Sequence, residues 1–107
     1  MVARNEIYWG DLGEPGGRRP LCVLTRDAAA SVLTAITCAP ITRTMRGIRS
    51  EVEIGVDEGL PAMCVISCDN IVTVPIARLD PEPVGRLGAL KRAQLDQALR
   101  YALDIAY

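Results

Sequence analysis

Glu6-Ile7-Tyr8-Trp9-Gly10-Asp11-Leu12, then Gly13-Glu14-Pro15-Gly16-Gly17, then Arg18-Arg19-Pro20-Leu21-Cys22-Val23-Leu24-Thr25: the reading of this stretch decides the fold. The first run is rich in β-forming residues and has strand length. The glycines and proline that follow suit a loop and little else. From Pro20 to Thr25 the chain is almost continuously apolar, the pattern of a short strand buried on both faces. The loop at 13–17 reads as a mobile flap at the root of that core strand. It has neither a P-loop lysine nor a G-x-G-x-x-G fingerprint, so nucleotide binding has no support.

Working outward, Asp27 is placed to cap a short Ala-rich turn at 28–31. Residues 33–41 predict a third, longer strand, with Pro40 marking where it leaves the ladder. Glu51-Val52-Glu53-Ile54 alternates as a half-exposed strand should, and Asp57-Glu58-Gly59 makes a turn. Residues 63–67 and 71–74 predict two more strands, separated by Cys68-Asp69-Asn70, with Pro75 limiting the second. Near the end the period changes. Leu95, Leu99, Ala102, Leu103 and Ala106 recur at spacings of three and four, which predicts one amphipathic helix. Many short strands and a single terminal helix describe an α+β, mainly β fold: a small, strongly curved barrel or half-barrel with the helix over one opening or face.

The chain has 107 residues, 12 basic and 13 acidic, for a formal charge of −1, and 50% of it is apolar. That fits one domain, 1–107, able to bury a core without disulfides or metals. No apolar run approaches the roughly 18 to 20 residues of a membrane span. The opening Met1-Val2-Ala3-Arg4-Asn5 turns polar at once, unlike a signal peptide, so a cytoplasmic protein with no membrane partner is expected. Histidine is absent. That removes imidazole acid–base catalysis, Ser-His-Asp and Cys-His nucleophiles, and His-containing zinc sites. Cys22, Cys38, Cys64 and Cys68 fall in or beside apolar strands with no C-x-x-C pair, so they read as core; neither a metal nor a cofactor is expected.

Charge is uneven along the chain. Residues 1–50 hold seven arginines against four acids, and residues 51–107 hold five bases against nine acids, so the halves carry +3 and −4. Arg18 and Arg19 sit where the chain passes from flexible to buried, which fixes their backbone. Residues 42–50, Thr-Arg-Thr-Met-Arg-Gly-Ile-Arg-Ser, are the most basic and hydroxylated window. Guanidinium and hydroxyl groups alternating there can hydrogen-bond and neutralise phosphate oxygens together. Taken alone, the two segments read better as a solvated strand end and a solvated loop. Tyr8 and Trp9 point to opposite faces of one strand, so one belongs to the core, and an exposed ring can stack on a base.

Together, the segments 6–12, 16–24 and Ala39-Pro40-Ile41-Thr42, with Ser67-Cys68-Asp69-Asn70-Ile71 and Val84-Gly85-Arg86-Leu87-Gly88 in the same order, resemble the MazF/PemK family of toxin endoribonucleases. The resemblance runs nearly end to end. It implies an SH3-like barrel, a homodimer, and metal-independent, sequence-specific cleavage of single-stranded RNA by attack of the 2′-hydroxyl. It also implies a cognate antitoxin with an acidic, partly disordered tail. By position, Arg19 matches the family's catalytic arginine and Thr42 its catalytic threonine. Arg18, Arg26, Arg43, Thr44, Arg46 and Trp9 form the expected RNA-binding set, with Arg18 at most a phosphate contact. Gly13 stands where some members have serine and Arg26 where some have asparagine, so a cleavage sequence does not carry over. Two other functions stay open at this stage: a CcdB-type gyrase poison acting through residues 99–107, and a non-catalytic SH3-like binding module.

Overall fold

A computed structural model describes residues 1–106. Strands β1 (Glu6–Asp11) and β2 (Arg18–Val23) form an antiparallel hairpin, with Trp9 opposite Pro20 and Asp11 opposite Arg18. The intervening loop is closed by its own backbone: Leu12 N–H donates to the Gly17 carbonyl at 2.8 Å, and Gly17 N–H to that of Gly13. Gly13 and Gly17 have φ of +72° and +69°, which L side chains rarely adopt.

After β2 comes one turn of helix, α1 (Asp27–Ala30). Asp27 does not cap it. The N-cap position is Arg26, with no side-chain bond, and the Asp27 carboxylate instead accepts the Arg4 backbone N–H at 2.7 Å.

Strand β3 (Ala35–Thr42) organises the sheet. One edge pairs with β2. The other pairs first with β6 (Val72–Pro75) along residues 35–38 and then with β5 (Cys64–Ser67) at Ile41 and Thr42. Pro40 does not end the strand. It forms the last pair with β2, opposite Leu21, so that ladder ends there as expected, while the other edge passes from β6 to β5 and carries the strand on to Thr42. Outer strands β4 (Glu51–Ile54) and β7 (Gly85–Arg86) give the order β4-β5-β3-β2-β1-β7, a curled antiparallel half-barrel as the sequence predicts. The expected turn at 57–59 is a 3-10 turn, Val56–Glu58, ended by Gly59 at φ +92°. A Cβ there would lie 2.4 Å from the Val84 carbonyl oxygen.

Period-two alternation explains why β2 is apolar throughout. Ile7, Cys22, Ala39 and Ile41 face one core, which α2 (Ala89–Leu103) closes with Leu95 and Ala98; Tyr8, Leu21, Val23 and Cys38 face a second core with Ile36, Val74 and Leu79. The buried helical stripe is Leu95, Ala98, Leu99 and Ala102. Leu103, the last residue of the helix, is exposed, and Ala106 lies past Asp104, whose left-handed turn (φ +57°) ends the helix. No helix among the described residues is long and apolar enough to cross a membrane. Tyr107 lies outside the described residues.

All four cysteines are buried and unpaired. Burial pushes the Cys22 and Cys38 thiols up to about 12 and that of Cys68 to about 11, so they are neutral core groups. Tyr8 is likewise pushed up to about 12, by burial first and then by its hydrogen bond to Glu6.

A candidate active cleft and the aromatic face beside it

The register places the two family-matched residues together. Leu21 and Pro40 form the last pair of β2 with β3, and Arg19 and Thr42 each lie two residues beyond it on the facing strands. Both line one cleft of about 270 Å³, with Thr44, Arg46 and Ile48 from the following loop and Pro40, Ser67, Asp69 and Asn70 at the far wall.

Each component has a local reason for its position. The Arg19 Nε donates to the Gly16 carbonyl at 3.1 Å, which ties the guanidinium to the glycine loop. Ion pairs among the described residues are Arg4–Asp96 and Arg18–Asp80, and Arg19 belongs to neither. The Thr42 hydroxyl accepts the Thr44 backbone N–H at 3.2 Å, and its own proton can still donate. The 43–49 loop is pinned by Glu51, whose Oε1 accepts the N–H groups of Arg46 and Gly47 at 3.0 and 3.1 Å. At the far wall, Asn70 donates to Ser67 Oγ at 2.8 Å, and buried Ser50 donates to Asp69 Oδ2. Two arginines therefore share the cleft wall with two carboxylates.

Of the residues singled out in the sequence, the cleft gathers Arg19, Thr42, Thr44 and Arg46. Arg43 and Trp9 lie on another side. They line a small apolar hollow of about 80 Å³ over Pro20, Ile41, Leu60, Pro61 and Cys64, and Thr42 borders both cavities. Tyr8 is the core ring of the pair and Trp9 is half-buried. Arg18 faces neither cavity: it forks onto Asp80 at 3.0 and 2.5 Å, with its guanidinium carbon 5.6 Å from the Trp9 ring centre. Arg26 is exposed beyond the opposite end of β2 from Arg19, away from the cleft. Arg49 stacks over Tyr101 at 4.4 Å, fastening the basic loop to α2.

Sequence reasoning missed Ser67, Asp69, Asn70, Glu51 and Asp80. The polar insert Cys68-Asp69-Asn70 between two strand patterns was the available signal; it forms a 3-10 turn at the end of β5, the strand paired with Thr42.

A curled antiparallel sheet closed by α2 is an architecture shared with solved MazF toxins. The backbone matches the Mycobacterium tuberculosis toxin MazF-mt6 with a TM-score of 0.88 and 35% identity, covering 95% of this chain and 99% of that one. The family described as PemK-like, MazF-like toxin of type II toxin-antitoxin system matches residues 3–103, and the chain belongs to it. Relatives in M. tuberculosis include endoribonuclease MazF3, 39% identical over 81% of this chain and 84% of its own length. Another is probable endoribonuclease MazF5, 38% identical over 97% and 94%. Both relatives are named as endoribonucleases, MazF5 as a probable one, the activity the sequence resemblance implies.

Proposed function

We propose that this protein cleaves single-stranded RNA without a metal ion, as the toxin of a type II toxin–antitoxin pair. The observation that carries this reading is the meeting of Arg19 and Thr42, from facing strands, in one cleft that also holds Arg46 and Asp69. RNA supplies its own nucleophile. The 2′-oxygen attacks the adjacent phosphorus and gives up its proton, the bond from phosphorus to the 5′-oxygen breaks, and that oxygen takes up a proton. The products end in a 2′,3′-cyclic phosphate and a 5′-hydroxyl. Between them lies a crowded, negatively charged phosphorane, and preorganised donors aimed at it lower the barrier.

Arg19 and the Thr42 hydroxyl are those donors. Arginine is a poor acid in water, its pKa lying above about 12, so the proton for the leaving oxygen comes from solvent in this scheme. For the proton leaving the 2′-hydroxyl, Asp69 is the assigned acceptor. Ser50 holds its Oδ2, whereas Glu51 uses an oxygen to hold the loop. Arg46, Thr44 and Arg43 grip flanking phosphates, and Trp9 stacks a neighbouring base, which adds affinity without selecting that base. Arg26, at the far end of β2, contacts RNA only if the strand runs on past the cleft.

The chain's −1 charge gives little nonspecific attraction for RNA, so binding rests on these local arginines. An acidic antitoxin tail competes for the same groups. Homodimerisation and a cytoplasmic setting complete the reading and follow from family membership.

Incubating the purified protein with a long RNA in EDTA, and mapping the new 5′ ends, tests the proposal. Cleavage at a few short sites that survives the chelator is expected. A substrate methylated on the 2′-oxygen at a mapped site should resist; equal cutting of the methylated and ordinary RNA would refute the mechanism.

A further inference from the structure

Asp80 is attached to Trp9 by two routes. Its backbone N–H donates to the Trp9 carbonyl at 2.8 Å, next to the bridge between Gly10 and Leu79 that joins this segment to β1. Its carboxylate takes both arms of Arg18, a residue of β2 on the opposite side of β1. The Arg18 side chain therefore spans β1 and crosses the Trp9 ring on its way. Asp11, opposite Arg18 in the hairpin, adds a second, weaker attraction for the same guanidinium.

From this arrangement we infer that Asp80 is a positioning residue: it holds Arg18 against Trp9 so that guanidinium and indole form one stacking platform for an RNA base beside the cleavage site. The inference deepens the proposed ribonuclease reading and rests on it. Guanidinium planes and aromatic rings both stack on bases, and neither needs a particular base to do so. A free Arg18 would be a mobile phosphate contact. Paired with Asp80 it is electrically balanced, and its hydrogen bond lowers the Asp80 pKa, so the carboxylate is charged at neutral pH. The platform stays open to solvent on its outer side, since Arg18 is exposed and Trp9 and Asp80 are each half-buried.

Trp9 is the chain's one tryptophan, so its fluorescence reports on this site alone. The experiment compares wild type, Asp80→Asn, Asp80→Glu and Trp9→Ala in two readouts. One is acrylamide quenching of Trp9 fluorescence in the three proteins that keep it. The other is the ratio of kcat/KM for an intact oligoribonucleotide to that for the same RNA with an abasic ribose next to the cut. Quenching should rise in Asp80→Asn and return toward wild type in Asp80→Glu. The kinetic ratio should fall about threefold in Asp80→Asn, the factor for loosening one exposed cation–π contact, with kcat on intact RNA within about twofold. It should fall furthest in Trp9→Ala. If Asp80→Asn does not fold, Arg18→Lys, which keeps the charge and lacks the fork, takes its place. Wild-type cleavage with quenching and ratio both unchanged in the variant would overturn the clamp and leave the ribonuclease standing. A wild type that cuts no RNA would overturn the ribonuclease, and the quenching comparison would still decide the clamp.

Discussion

Two surfaces meet at Thr42 and differ in almost every property. On the Arg19 side lies a polar cleft whose groups are fixed by hydrogen bonds to backbone: Arg19 to Gly16, Thr42 to Thr44, Glu51 to the basic loop. On the Trp9 side lies a small apolar hollow between prolines, leucine and an indole. The first surface suits a phosphate and developing charge, the second a flat base. A single strand of RNA crossing Thr42 would place its reacting phosphate on one and a flanking base on the other. In the proposed scheme, chemistry and base contact are separated by one residue of β3, and substitutions on the two sides should alter different kinetic constants.

The sharpest way to break this comparison is Arg19→Ala. Loss of a preorganised charge donor costs about 3 kcal/mol or more, a fall in kcat of roughly a hundredfold or greater. Affinity for RNA, measured by anisotropy, should stay within about tenfold because other arginines share the phosphate load. Trp9→Ala should do the reverse, raising KM about tenfold through lost stacking with little change in kcat. Thr42→Val, at the border, should lower kcat about five- to tenfold and free the 43–49 loop, as expected for one lost neutral hydrogen bond in each role. Proteolysis within that loop should then quicken. If Arg19→Ala and Trp9→Ala changed the same constant by the same factor, the two surfaces would be one.

Stability against alkali belongs to neither surface and serves as the control. Tyr8, Cys22 and Cys38 have folded-state pKa values raised to about 12, above their ordinary values of 10.0 and 9.0. Groups raised in this way contribute stability that is fully present below the unfolded values and is lost as pH climbs toward the folded ones. The urea midpoint should hold through neutral pH and fall between about pH 9 and 12. A midpoint that instead rose across that window would show these groups ionised in the native core.

Strands β1 to β6 and the terminal helix were legible in the sequence from local pattern: alternation in β4, continuous apolarity in β2, spacings of three and four in α2; the two residues of β7 carry no period and went unread. Pro40 marks the end of pairing with β2, as read, but not of the strand, because β5 takes up the other edge beyond it, a tertiary circumstance that no local pattern records. The stripe of α2 was read one turn too far, since Leu103 continues the spacing but the chain ends its helix at Asp104. In the cleft, Arg19, Thr42, Thr44 and Arg46 were legible from resemblance and residue type. The far wall was not, because Ser67, Asp69 and Asn70 reach Thr42 only through the pairing of β3 with β5. Arg43 left the group for the same kind of reason, as the neighbour of Thr42 that lines the hollow beside Trp9. Arg18 reads as a phosphate contact until Asp80 is seen across β1.

The central claim is that a guanidinium and a hydroxyl, set by strand register, suffice for an RNA chain that attacks itself. Mass spectrometry of the products formed in EDTA tests it most directly. The account predicts 2′,3′-cyclic phosphate on the upstream fragment and 5′-hydroxyl on the downstream one. Fragments bearing 5′-phosphate and 3′-hydroxyl, or a complete loss of cutting once metal is chelated, would contradict it.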